Sequence, residues 1–491
     1  MGIDFAKEQS KTEILLDATP LSLTKILTYT EPDQDDAVDY SDVYAGMWFA
    51  NTFEPVLCFN TTAKQWFFYD GVKWCPDDER RAEALAGIFA SAIWGYFMQG
   101  DDQERKFAGR IQRNKSRRDL LDDAKTFLAV PASKFDAHPE LLNCKCGTFN
   151  LDTMTWEGHY WKNYLTKCAN VTERMDKYKP EYYIDWLTFL GQIQTKGRAK
   201  LLQKVFGICL TEDTSEEKFY ICHGPTTRNG KSSLLDAVCN MLGTYAITVN
   251  PETFATSSGR NGSGPSPDRA NMRAARLLHV SEFSKGLLLD CAYVKRITGG
   301  DLIKARKLHQ DEVTFRLTGQ IIINTNYLPQ VNDVTIFDSR RVVVIPFTRH
   351  FKPEEQDHHL KRKLNSQKML NQIFYWCLDG LKIYRKEGHL TFPKSVIKAT
   401  QEYQSDSDKV ARFMSECTEE YQNHNLAGSE AYENYTAWCS ANGLQTEGKK
   451  TFFVELRRKG LLAESGTVDG KTVRNVIRNR VLIGKYSTLD F

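Results

Sequence analysis

No apolar run in the 491 residues approaches the roughly 18 needed to span a bilayer, so no membrane partner is expected. The opening MGIDFAKEQSKTEILLDATP lacks both the basic start and the apolar stretch of a secretory signal, and the chain is expected to stay where it is made. Cysteine is sparse. Twelve in so long a chain fall far below a disulfide scaffold, and no two CxxC pairs stand at zinc-ligand spacing, the nearest approach being Cys144-Lys-Cys146. Buried thiols in a reducing, cytoplasmic compartment are the expectation, with a metal site as the alternative. There is no internal repeat, and 41% hydrophobic, 26% charged and 12% aromatic residues exclude collagen-like and wholly disordered classes. At roughly 100 to 200 residues per domain, the length predicts about three domains.

Net charge is only +3, but it is unevenly spread. Residues 1–42 hold ten acids against three bases, with a cluster at Asp33, Asp35, Asp36 and Asp39, and read as a loose acidic arm. Arg105 to Arg118 holds seven bases and no acid, and Lys449 to Lys485 ten bases against three acids. Each basic stretch could neutralise phosphates or be a solvated helix face.

The chain reads as multidomain α/β. After the arm (1–45), an α+β module (46–175) is predicted from a hairpin at Asp70-Gly71, helical spacing over Arg80 to Gln99, and short strands over Asp136 to Trp161 with turns at Cys146-Gly147 and Glu157-Gly158. Residues 176–215 read as a helical collar, with Trp186, Leu190 and Ile193 on one face. Over 216–350 strands alternate with helical patterns, which predicts a mostly parallel sheet with crossover helices. Its segment Ser257 to Pro267, rich in Ser, Gly and Pro, is expected to be a mobile loop. A helical extension (351–425) has helices near Asn371 to Arg385 and Lys409 to Asn423. The last unit (426–491) reads helix over Glu430 to Ala441, helix over Lys449 to Lys459, then strands around Leu461 to Ser465 and Thr472 to Arg478 with a turn at Val468-Asp469-Gly470. That is a winged-helix pattern, suited to DNA or to protein contact.

Chemistry concentrates between Lys218 and Phe351. The strand Phe219 to Cys222 runs into Gly224, Thr227, Arg228, Asn229, Gly230, Lys231, Ser232 and Ser233 and then an apolar helix. This is a phosphate-loop context: backbone N–H groups at a helix start bind phosphate oxygens, Gly230 allows close approach, Lys231 reaches the β and γ phosphates of ATP, and Ser232 ligates Mg²⁺. Five residues separate Gly224 from Gly230 where four are usual, which puts Pro225 at the expected glycine. The apolar strand Ala275 to Phe283 carries Glu282 at its end, a carboxylate that could activate water and support Mg²⁺, or simply be a surface glutamate. A third strand, Leu317 to Pro329, delivers Asn324, Thr325 and Asn326, of which Asn326 could bind both the γ-phosphate and the lytic water. Arg340 and Arg341 precede the strand Val342 to Ile345. Either could reach into a neighbouring subunit's site or form an ordinary salt bridge. A loop, an acid-ended strand, an amide-ended strand and arginines, in that order, point to a ring ATPase.

FFYDGVKW, LLNCKCGTFNL, NGKSSLL, RLLHVSEF, VKRITGGDLIKARKLHQDEVTF, GQIIINTNYLP, SRRVVVIPF and EAYENYTAWCSANG together resemble the superfamily 3 helicases. The likeness is specifically to the C-terminal ATPase of the phage and plasmid primase-helicase family, to which the poxvirus primase-helicase is related. It covers the chain from near Asn51 onward. Departures are the long loop spacing and Ser281 where many relatives have Asp. The resemblance implies an AAA+-like P-loop core, a homo-hexameric ring hydrolysing ATP with Mg²⁺, and 3′-to-5′ movement on single-stranded and forked DNA for replication of a phage or mobile element, in the host cytoplasm if bacterial. It also implies a channel hairpin between Lys295 and Phe315, where Lys304, Arg306, Lys307 and His309 grip phosphates unless they are a solvated charge run. In the last unit Lys449, Lys450, Arg457, Arg458 and Lys459 would face DNA. Arg341, directly before its strand, is the preferred arginine. No fused primase is expected, because roughly 50 residues before the matched region cannot house one, so a separate primase, initiator or host replication protein is a candidate partner. The alternative is an initiator or loader using ATP as an assembly switch.

Overall fold

The computed structural model describes residues 5–27, 31, 40–256, 267–306 and 312–483. It is a multidomain α/β structure of mixed helices and sheets. The N-terminal part has strands β1 (Leu57–Asn60), β2 (Gln65–Tyr69), β3 (Trp74–Pro76) and β4 (Ala129–Val130) in the order β3-β2-β1-β4. Asp70 closes the β2–β3 turn by accepting from the amides of Val72 and Lys73 at 2.8 and 2.7 Å, a side-chain turn that its short carboxylate suits. A second, antiparallel sheet joins β5 (Leu141–Cys144), β6 (Gly147–Asn150) and β7 (Thr155–Glu157).

Helices Asp42–Phe53, Arg81–Phe97, Asp102–Ile111 and Asn114–Phe127 bury Trp48, Phe49, Phe53 and Phe89 among them. The helix Asp102–Ile111 starts on a reciprocal cap between Asp101 and Glu104. The same core holds Leu15, Leu23 and Leu27. This departs from the expectation of a loose arm, because Phe5–Leu16 and Pro20–Thr24 are helical and bury Leu15 and Leu23. Apolar residues at helical spacing outweigh the local acidity there. The acidic cluster Asp33 to Asp39 and the segment Ser257 to Ser266 lie outside the described residues.

Ile184–Ile193 and Lys196–Ile208 form a helical layer against the 21-residue helix Gln367–Glu387. Two glycines allow the close crossing. A Cβ on Gly380 would run into the Gln203 carbonyl, and one on Gly207 into the backbone at Cys377 and Leu381.

Beneath this layer lies an all-parallel sheet of β8 (Phe219–His223), β9 (Ala246–Val249), β10 (Leu277–Val280), β13 (Gln320–Thr325) and β14 (Val342–Pro346), ordered β14-β8-β13-β10-β9. β10 and β13 are buried along their length, as strands covered on both faces must be. The helix Lys231–Leu242 crosses from β8 to the far edge of the sheet. Between β10 and β13 a small antiparallel pair, β11 (Ile303–Ala305) and β12 (Val313–Phe315), stands apart. The buried Arg276 side chain ties sheet to N-terminal module, donating to the carbonyls of Leu141 (2.7 Å) and Leu210.

The C-terminal unit comprises helices Lys409–Cys417, Gly428–Ala441 and Lys449–Arg458 and an antiparallel sheet of β15 (Thr418–Ala427), β16 (Leu462–Val468) and β17 (Lys471–Leu482), with β17 in the middle. The turn residues Asp469 and Gly470 have φ of 48° and 75°, as a tight hairpin requires. The expected helix Lys409 to Asn423 is therefore cut short at Cys417. The remainder pairs with β17, where cross-strand bonds prevail over a local helical pattern.

Nine of the twelve cysteines are buried. Among the described residues no helix is long and apolar enough to cross a membrane. Gly380→Ala is expected to destabilise the chain by about 1–3 kcal/mol through overpacking at the helix crossing. A lowered urea midpoint checks this; an unchanged midpoint would mean that the two helices separate freely.

Candidate functional site

The C-terminal ends of β8, β10 and β13 converge because the strands are parallel and adjacent in the order β8-β13-β10. The loop after β8 ends at Gly230, whose φ of +83° suits glycine, and a Cβ there would strike Ile193 of the helical layer. The N-cap Gly230 offers no side-chain cap to the helix starting at Lys231, so the amides that follow that of Lys231 can meet an anion. Lys231 is only 3% exposed. Its Nζ donates to the Gly224 carbonyl at 3.1 Å and to Asn326 Oδ1 at 2.7 Å, and Asn326 Nδ2 donates to Glu282 Oε1 at 2.8 Å. Ammonium, amide and carboxylate thus form one continuous line. Burial pulls the Lys231 ammonium below the ordinary lysine range, while Cys222 and Glu282 oppose that shift.

Each remaining residue of the loop has its place. Asn229 is buried, accepts from the Lys231 amide at 3.3 Å and donates to the Thr226 carbonyl. Thr227 is exposed, and its carbonyl meets His350 Nδ1 at 2.9 Å. Arg228, at φ +54°, donates to Gln356, and its carbonyl accepts from the Phe351 amide at 2.9 Å. Ser232 is exposed beside Asn324, whose Nδ2 donates to Ser232 Oγ at 3.1 Å. Asn324 Oδ1 is buried without a partner.

An unsatisfied acceptor, an exposed hydroxyl and a carboxylate next to open helix amides fit a magnesium polyphosphate. Among the described residues no group of three or more His, Cys, Asp or Glu could hold a metal alone, so phosphate oxygens and water would complete the shell of Ser232 and Glu282. Beyond Gly230 and Ser233 opens a cavity of 1180 Å³, walled by Phe189 and Ile193 on one side and by Phe351 and His359 on the other.

Sequence reasoning overlooked Asn324 as a partner of Ser232, although it is a buried amide at the C-terminal end of β13, just before the loop that carries Asn326. It also overlooked His223, at the end of β8, whose ring is held below the ordinary imidazole range by burial. The cavity wall beyond Phe351 carries no local signature.

The arginines are elsewhere. β14 runs parallel to β8 with Val342 beside Phe219 and Pro346 beside His223. Arg341 therefore stands at the sheet end opposite the loop that follows β8, about 16 Å away along five residues. Its side chain is committed to Glu217 (2.7 Å) and Thr298 Oγ1 (2.8 Å). Arg340 is exposed, at φ +53°. The preference for Arg341 as the reaching arginine thus meets a side chain already occupied.

In the β11–β12 pair Lys304 is exposed, 3.7 Å from Glu312, and Arg306 is exposed. Lys307 and His309 lie outside the described residues. In the C-terminal unit Lys449 lies near the rings of Tyr432 and Phe453, Lys450 and Arg457 are exposed, and Arg458 is engaged with Asp338 and Glu455.

Two family descriptions match the chain: D5 N terminal like over residues 46–195 and Poxvirus D5 protein-like over 405–465. It is 25% identical over 325 residues to "Putative helicase L207/L206" of Acanthamoeba polyphaga mimivirus, covering 62% of this chain and 34% of that protein. It is 24% identical over 263 residues to "Primase D5" of Fowlpox virus, covering 50% and 32%. The chain thus spans about a third of the length of these curated relatives. An apo structure of the NrS-1 C-terminal region aligns over 88% of this chain and 98% of its own at 11% identity and a TM-score of 0.46.

Replacing Lys231 with Ala removes the cation but not the loop, and is expected to weaken a fluorescent ATP analogue more than about tenfold, the scale of one charge-assisted contact. Equal affinity in variant and parent would take Lys231 out of the site.

Proposed function

Starting from a chain that carries both D5-type segments and is homologous to viral helicase-named proteins and a poxvirus primase D5, consistent with the primase-helicase family, we propose an ATP-driven DNA helicase of the superfamily 3 type, working as a hexameric ring in replication. The observation that carries the reading is the line Lys231–Asn326–Glu282 across the ends of three adjacent parallel strands. The sheet order, with the phosphate-loop strand between the arginine strand and the amide strand, supports an AAA+-like core.

In this reading the triphosphate wraps the start of the helix Lys231–Leu242, its γ end at Asn326 and its nucleoside end in the 1180 Å³ cavity. Mg²⁺, bound with ATP at Ser232, supplies neutralisation of phosphate charge. Glu282, exposed at the strand end, accepts the proton of the attacking water, and Asn326 orients both. Lys231 is already placed by Gly224 and Asn326, so little reorganisation accompanies reaction. Charge developing on the γ-phosphoryl needs one more cation. Arg340 of a neighbouring copy is the better placed candidate, with Arg341 bracing its segment, because both stand at the far end of their own sheet.

DNA phosphates would meet Lys304 and Arg306 on the hairpin, and Lys449, Lys450 and Arg457 on the last unit, which would act as a winged helix with Lys471, Arg474 and Arg478 exposed along its hairpin. These contacts are sequence-independent. Movement from 3′ to 5′ rests on the family resemblance.

Glu282→Gln is expected to keep ATP binding and lower turnover by at least about 100-fold, the usual scale for a lost general base. Turnover at the parent rate would return Glu282 to an ordinary surface residue. Mixing tests the ring: Arg340→Ala and Lys231→Ala proteins, each inactive, should regain part of the ATPase when co-assembled, since an intact loop then faces an intact arginine. No recovery in verified mixed rings rejects the trans arrangement. Rings that form with ATP yet never unwind a forked duplex would favour the assembly-switch alternative.

A further inference from the structure

The chain passes from the core into the C-terminal unit at Asp408. Asp408 lies between the helices Lys394–Ser407 and Lys409–Cys417, caps the latter by accepting from the Ala411 amide at 2.9 Å, and pairs with Lys459. Beside this junction a cavity of 210 Å³, lined by Pro329, Asn332, Tyr403, Asp406, Lys409 and Gln445, separates unit and core, so the joint is not close-packed.

Across the joint one cation of the last helix grips the core. Arg458 Nη1 donates to Asp338 Oδ2 at 2.5 Å, while its Nη2 lies 2.9 Å from Glu455 of its own helix. Arg458, expected to face DNA, is engaged here by two carboxylates. A carboxylate already fills its fork.

Asp338 closes the short helix Thr335–Asp338, and two residues later comes Arg340. The turn between is fixed by Arg340 N to Phe337 O at 2.8 Å and Ser339 Oγ to Ile336 O at 2.9 Å. After it, Arg341 is anchored on Glu217 and Thr298. Arg340 thus projects from a left-handed turn pinned on both flanks, by the core on one side and by the C-terminal unit on the other.

We propose that Arg458 and Asp338 are positioning residues for Arg340, so that seating of the C-terminal unit sets the hydrolysis rate of the neighbouring copy. Neither touches nucleotide. The pair holds the exposed arginine at the angle its neighbour's site requires, and movement of the unit at Asp408 loosens it. The inference rests on the trans-acting role of Arg340 proposed above.

The test uses full-length chain without DNA, at concentrations where it assembles, so that any role of Arg458 on DNA drops out. Arg458→Glu and Asp338→Arg should each lower kcat for ATP roughly fivefold, the reach of one exposed ion pair, with KM unchanged. The double reversal, which restores the pair with its polarity exchanged, should return kcat to within about twofold of the parent. Arg458→Gln, which keeps the stem against the core, serves if a reversal does not fold, and should lower kcat alone. Unchanged kcat, a rise in KM equal to the loss, or no restoration in the double variant overturns the proposal. Arg340→Ala, measured alongside, separates the two ideas. Parent-like turnover there sinks the reading of Arg340 itself, whereas loss there with silent Arg458 and Asp338 variants sinks only the positioning role.

Discussion

An ammonium taken out of water must be held by oxygens or it reverts to the neutral amine, and the centre of this protein is built around one such group. Lys231 sits under the loop that follows β8, held by the Gly224 carbonyl and by Asn326. Satisfying it fixes three elements at once: the loop must curl back at Gly224, β13 must end at the level of β8, and Asn326 must turn its amide nitrogen toward Glu282 beyond β10. The Cβ that Gly224 lacks would meet Asn229, Phe347 and Lys231 itself. The arrangement needs a parallel sheet, since only parallel strands bring three successive C-terminal ends to one edge.

The same parallelism separates the arginines from that edge. Residues before β14 and residues after β8 lie at opposite ends of the sheet, so one copy of the chain cannot bring both to one nucleotide without unfolding β14. In the proposed reading a second copy would complete the site, and the rate would become a property of the assembly. The helical layer takes part, because Ile193 rests on Gly230 and the same helix lines the cavity beside it. Collar, loop and cavity wall form one continuous surface.

Much of the local structure was legible because the signals are local. An apolar run before Gly224, an apolar helix after Lys231 and β-branched residues after Arg341 became β8, the helix Lys231–Leu242 and β14 as expected. The hairpin turns at Asp70-Gly71 and Asp469-Gly470 were equally plain. What escaped depends on long-range partners. Thr418 to Asn423 reads as a helical continuation until β17, some 50 residues later, offers it a ladder. The N-terminal acids hid Leu15, Leu23 and Leu27, whose burial is set by helices downstream. Arg341 looked the better placed arginine by adjacency to its strand, and Arg458 looked free for DNA. Glu217 and Asp338, which occupy them, stand more than 100 residues away in sequence.

The central claim is that this site hydrolyses nucleotide and is completed between copies. It is tested most directly by the specific ATPase rate of the full chain as a function of its own concentration. The account predicts a rate per chain that rises steeply as copies assemble and then levels, with single-stranded DNA shifting the rise to lower concentration. A rate per chain that is constant down to monomeric dilution, or no turnover at any concentration, would contradict it.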